Sequence, residues 1–84
     1  PDNSLYVNLV KCLLAKIYDE RTRKKGEKYL FQVDHRMGKP ENADRVFEKV
    51  NSLYKDAYVR YIDTDAREPD EIDPKDFSCY RSLF

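Results

Sequence analysis

Two stretches of apolar residues at helical spacing, separated by a segment that holds both glycines, constrain this chain more than any other feature. In the first, Tyr6, Leu9, Val10, Leu13, Leu14 and Ile17 recur at the i, i+3, i+4, i+7 positions of one helical face, which predicts a helix over 5–25. Asn3 or Ser4 offers a side-chain oxygen to cap its start. Arg21, Arg23, Lys24 and Lys25 suit the negative end of its dipole, and Gly26 is a natural stop. In the second, Val46, Phe47, Val50, Leu53, Tyr54, Ala57, Tyr58, Tyr61 and Ile62 predict a helix over 41–62, started near Pro40 to Asn42 by a proline at the first helical position.

The intervening residues divide in two. Tyr29-Leu30-Phe31-Gln32-Val33 is aromatic and β-branched, too short for a helix, and predicts an extended segment at 29–33. Whether Leu30 and Phe31 cover this core or reach elsewhere is open at this point. Residues 34–40, punctuated by Gly38 and Pro40, read as a polar connection. After the second helix, 63–73 is an acidic loop with Pro69 and no apolar period. Asp73 followed by Pro74 then resembles a helix start, so 74–84 is expected to form a short C-terminal helix carrying Phe77, Tyr80, Leu83 and Phe84 on one face. The expected fold is mainly α: two long antiparallel amphipathic helices, a short extended segment and a short C-terminal helix, in one domain spanning 1–84.

A chain of 84 residues holds one modest core, burying about 60–65% of the surface that the unfolded chain exposes. That leaves no room for a pocket-bearing enzyme on a large sheet. Pro1 and the apolar finish Ser82-Leu83-Phe84 read as the boundaries of an excised fragment. No apolar run approaches the length of a membrane helix and no leader pattern opens the chain, so a cytoplasmic setting is expected.

The chemistry-bearing residues are sparse. Cys12, Cys79 and His35 lack the spacing of a zinc site, and the two thiols are expected to be packing residues rather than a disulfide. Gly26 and Gly38 cannot build a phosphate-cradling loop, and one histidine with four scattered serines gives no nucleophile and base. Asp19 and Glu20 are adjacent, so on a helix they diverge by about 100°; Glu20 is expected to pair with Lys16 or Lys24. Tyr54, Tyr58 and Tyr61 share the stripe of Val50, Leu53 and Ala57 and read as core and rim aromatics rather than a base-stacking platform.

Charge is the remaining signal. The formal net charge is zero, yet residues 11–39 hold nine Lys or Arg against four acids, and residues 63–76 hold seven acids against two cations. The run Arg21, Arg23, Lys24, Lys25 and Lys28 is the candidate DNA contact, a set of cations able to neutralise phosphates.

The stretch Leu9-Val10-Lys11-Cys12-Leu13-Leu14-Ala15-Lys16-Ile17-Tyr18-Asp19-Glu20-Arg21, then Tyr29-Leu30-Phe31-Gln32-Val33, then Val46-Phe47-Glu48-Lys49-Val50-Asn51-Ser52-Leu53-Tyr54-Lys55, resembles the N-terminal helical domain of N6-adenine DNA methyltransferases. It is most similar to the modification subunits of type I restriction systems, in which such pieces occur in this order before the catalytic domain. The resemblance covers roughly residues 5 to 62. It implies a parent protein that binds S-adenosylmethionine and methylates the N6 of a flipped adenine. The family's cofactor-binding glycine motif and Asn-Pro-Pro-aromatic catalytic motif have no counterpart here, so no catalytic or cofactor residue is carried over. The implied role is an accessory module that assists DNA clamping and subunit assembly, with double-stranded DNA and other restriction-modification subunits as partners and no membrane. The alternative is a docking module of the nuclease subunit, in which the charge asymmetry meets an oppositely charged protein without DNA contact.

Overall fold

The computed structural model describes residues 4–65 and 70–74. The first helix, α1, spans Ser4–Thr22 and stops three residues before the expected end. Local hydrogen bonds explain the stop. The Thr22 hydroxyl donates back to the Tyr18 carbonyl at 2.7 Å, the Arg23 amide closes the last helical bond onto the Asp19 carbonyl, and residues 24–27 form a separate turn. In that turn the Glu27 amide donates to the Lys24 carbonyl while the Glu27 carboxylate accepts from the Lys24 amide at 2.7 Å. Gly26 supplies the required left-handed backbone at φ 90°.

The expected extended segment at 29–33 is instead a bend. The Gln32 amide donates to the Leu30 carbonyl, and the Phe31 amide donates to the Asp19 carboxylate at 2.8 Å. This turns Phe31 into the core, where it is 5% exposed, and leaves Leu30 at 38%. The strands lie in the supposed polar connection: β1 (His35–Arg36) and β2 (Lys39–Pro40) form an antiparallel hairpin with His35 opposite Pro40 and Arg36 opposite Lys39. Met37 and Gly38 make the two-residue loop, both with positive φ, as in a type I′ turn. Pro40 therefore closes a strand and does not start a helix. The second helix, α2, spans Ala43–Tyr61 and begins on Asn42, whose side chain accepts from the Asp44 amide at 2.8 Å.

The molecule is mainly helical with this one small sheet. The two helices pack against each other. The Lys11 ammonium lies 5.6 Å from the Tyr54 ring centre, and the Tyr18 and Tyr61 rings meet edge-on at 6.1 Å.

The core consists of Cys12, Ala15, Phe31, Val46, Val50, Leu53, Tyr54 and Ile72, flanked by Leu14, Tyr18, Val33, Phe47 and Tyr58. On α2 the buried face agrees with the sequence pattern at Val46, Val50, Leu53, Tyr54 and Ala57, while Tyr61 and Ile62 at its end are 40 and 60% exposed. On α1 the buried face does not agree. The residues turned inward are Asn8, Cys12, Ala15 and Asp19, whereas Tyr6, Val10, Leu13 and Ile17 of the expected core face are 70, 46, 43 and 39% exposed. Small side chains at the crossing let two helix backbones approach, and the larger apolar residues are displaced outward.

Residues 70–73 strap the helices together. Asp70 accepts from Lys11 at 2.6 Å and from the Tyr54 hydroxyl at 2.7 Å; Lys11 also donates to the Glu71 carbonyl, and Lys55 to the Glu71 carboxylate. The Ile72 amide donates to Asn51 on α2, the Asp73 amide to Asn8 on α1, and Ile72 itself is fully buried. Part of the acidic loop is thus a tether with one core residue. The helix expected at 74–84 lies, beyond Pro74, outside the described residues. No helix among the described residues is long and apolar enough to cross a membrane.

Candidate nucleic-acid interface

The five cations singled out in the sequence lie on and just after the end of α1, but they do different things. Arg23 is drawn inward: its Nε lies 3.2 Å from the carboxylate of Asp19, without the alignment of a hydrogen bond. Asp19 is completely buried and carries the bend on its other oxygen through the Phe31 amide. Lys28 reaches across to Asp34, and this contact, more than any other, holds the Asp34 carboxyl below its ordinary range, with Lys49 adding to the effect. Both residues hold the turn in place.

Arg21, Lys24 and Lys25 are exposed and form no ion pair with another described residue. The Lys24 main chain is fixed by Glu27, and the residue is exposed. The exposed part of the basic run is therefore Arg21 at the end of α1 and two lysines on the braced turn after it. Glu20, the nearest exposed acid on α1, is paired with Lys16 at 3.5 Å, as its spacing predicts.

A second cationic group was not singled out in the sequence. Arg36 and Lys39 on the hairpin and Arg45 on the first turn of α2 line a concave site of about 560 Å³, together with Asp34, Pro40, Glu41, Asn42 and Lys49. The carboxylates in it are already engaged: Glu41 accepts from Lys49 at 2.7 Å, which lowers its pKa, and Asp34 is held as described. Arg36, Lys39 and Arg45 form no ion pair among the described residues. The only advance signal was their sequence proximity to Gly38; their meeting depends on the hairpin.

The tyrosines behave as packing residues. Tyr54 is buried with its hydroxyl pushed up by burial and by the Asp70 carboxylate, Tyr58 meets it edge-on at 6.1 Å, and Tyr61 packs on Tyr18. Cys12 is buried in the core; Cys79 lies outside the described residues. Among the described residues, no group of three or more His, Cys, Asp or Glu could hold a metal ion. Another open groove, lined by Tyr18, Arg23, Leu30, Lys49, Ser52 and Asp56 among others, contains a serine without a histidine beside it. Comparison with protein-family models, curated proteins and solved structures gives no match to this chain.

Proposed function

We propose that this chain is a non-catalytic accessory domain that contacts the phosphate backbone of duplex DNA through the basic turn after α1. Its sequence resemblance suggests the setting: the modification subunit of a type I restriction system, whose S-adenosylmethionine chemistry belongs to another part of the parent protein. One observation carries the reading. Arg21 at the end of α1 and Lys24 and Lys25 on the turn after it stand exposed and form no ion pair among the described residues, and Asp19, Glu27, Arg23 and Lys28 hold this region in shape.

Three cations on phosphates release about three counterions, so log K should fall with log salt with a slope of about −2.7. Such binding is weak and indifferent to sequence, which suits an element that clamps while another part of the protein reads the target. The experiment is a titration of labelled nonspecific duplex at low and moderate salt, with Lys24→Ala/Lys25→Ala alongside. Salt-sensitive binding that the variant weakens, with a slope shallower by about 1.8, supports the reading.

A second reading draws on the exposed line Tyr6, Val10, Leu13 and Ile17, which runs along the outside of α1 beside exposed Leu5 and Val7. A contiguous apolar patch on a small domain is a feature of protein interfaces. It favours a subunit-docking role, either in addition to DNA contact or, as a module of the nuclease subunit, without it. Absence of duplex binding at low salt would leave docking as the better reading.

A further inference from the structure

We propose that the β1–β2 hairpin is a second contact with duplex DNA, with Arg36, Lys39 and Arg45 on backbone phosphates and Met37 entering the groove between them. This rests on the duplex-binding reading above but concerns a different surface.

Three features of the hairpin oppose its own folding. Arg36 and Lys39 are direct cross-strand partners in the only sheet among the described residues, and like charges placed opposite one another repel. Met37 takes φ 53° in the loop, a left-handed conformation that favours glycine or asparagine over a long side chain. That same side chain is fully exposed, although methionine is ordinarily a core residue. A duplex answers the first and the third. A phosphate between Arg36 and Lys39 turns their repulsion into shared attraction, and an apolar side chain at the tip of a narrow ribbon can enter a groove and lie against sugars and base edges.

The surroundings match a polyanion. The concave site beside the hairpin is lined by Arg36, Lys39, Arg45 and Lys49 against Asp34 and Glu41, an excess of two positive charges. Lys49 is tied to both carboxylates, so the cations facing outward are Arg36, Lys39 and Arg45. Asp44, on the same first turn of α2, is the exposed acid nearest in sequence. The hairpin is anchored at its base, where the Glu41 amide donates to the Asp34 carbonyl at 2.6 Å and the Asp34 amide to the Glu41 carboxylate at 3.2 Å. Its tip is therefore presented by a fixed stem.

The test uses the whole 84-residue chain and a fluorescein-labelled nonspecific duplex, titrated across a salt series. The proteins compared are wild type, Arg36→Ala/Lys39→Ala, Met37→Gly and Lys24→Ala/Lys25→Ala. Arg36→Ala/Lys39→Ala should bind more weakly, with a salt slope shallower by about 1.8 and an unfolding midpoint no lower than wild type, because it relieves repulsion. Met37→Gly suits the turn and removes no charge, so it should weaken binding several-fold at an unchanged slope. Wild-type slope and affinity in both hairpin variants, alongside weakened binding in Lys24→Ala/Lys25→Ala, would overturn the hairpin contact and leave the basic turn as the sole interface. No duplex binding by wild type at low salt would overturn the duplex-binding reading and this inference with it.

Discussion

A carboxylate without solvent costs stability unless neighbouring groups replace the water it has lost, and Asp19 replaces that water with the Phe31 amide and the Arg23 guanidinium. Asp19→Ala would strand both. We expect a loss of about 2–4 kcal/mol in urea unfolding, with Asp19→Asn losing less because its carbonyl oxygen still accepts from Phe31. The sequence marked Asp19 as one of two diverging carboxylates and predicted the Glu20 pairing, but not this burial. Nothing in residue type distinguishes an acid that faces water from one that a distant bend reaches back to cover. Asp70 is a second carboxylate with structural work, held below its ordinary range by Lys11 first and by the Tyr54 hydroxyl next. Its lowered folded pKa means that its contribution is fully present above the ordinary carboxylate range, about pH 4, and disappears as pH falls through the folded value. Asp70→Asn should therefore be less stable than wild type near neutrality, with the gap closing in acid; a gap independent of pH would contradict the strap as drawn.

Among the elements, α2 was legible and α1 was half legible. Both helices follow from periodicity, but the inward face of α1 does not, because the pattern weights leucine, valine and isoleucine while the crossing selects small residues. Asn8, Cys12, Ala15 and Asp19 also share helical spacing, and that was the available signal. Val10→Ala and Leu13→Ala should each change stability by no more than about 0.5 kcal/mol, since both side chains are exposed. Ile72→Ala, from a stretch read as loop, should cost about 2–4 kcal/mol, because it empties a fully buried site between the helices. Equilibrium unfolding of the three variants orders them directly, and the reverse order would restore the face expected from sequence. The hairpin escaped notice because Met-Gly is a weak turn signal beside Asn-Gly, and because two-residue strands leave no alternation to read. One isoleucine in an acidic run gave equally little warning that residues 70–73 tie both helices.

At the scale of the molecule, sequence and structure agree on a mainly helical fold, and the exposed apolar line of α1 comes from the structure alone. The charge asymmetry along the chain is partly neutralised in space. Lys11 and Lys55, outside the basic turn, meet Asp70 and Glu71 of the acidic stretch, which leaves the cations after α1 free of that partner. The candidate DNA residues form a run in the sequence, while their division into exposed and structural cations rests on the Asp19 and Asp34 contacts that only the fold supplies. The most direct test of the central claim is the salt-dependent titration of nonspecific duplex DNA with wild type and Lys24→Ala/Lys25→Ala. Binding that weakens steeply with salt, and a variant slope shallower by about 1.8, is the predicted result. No binding at low salt, or binding that the variant retains with an unchanged slope, would contradict it.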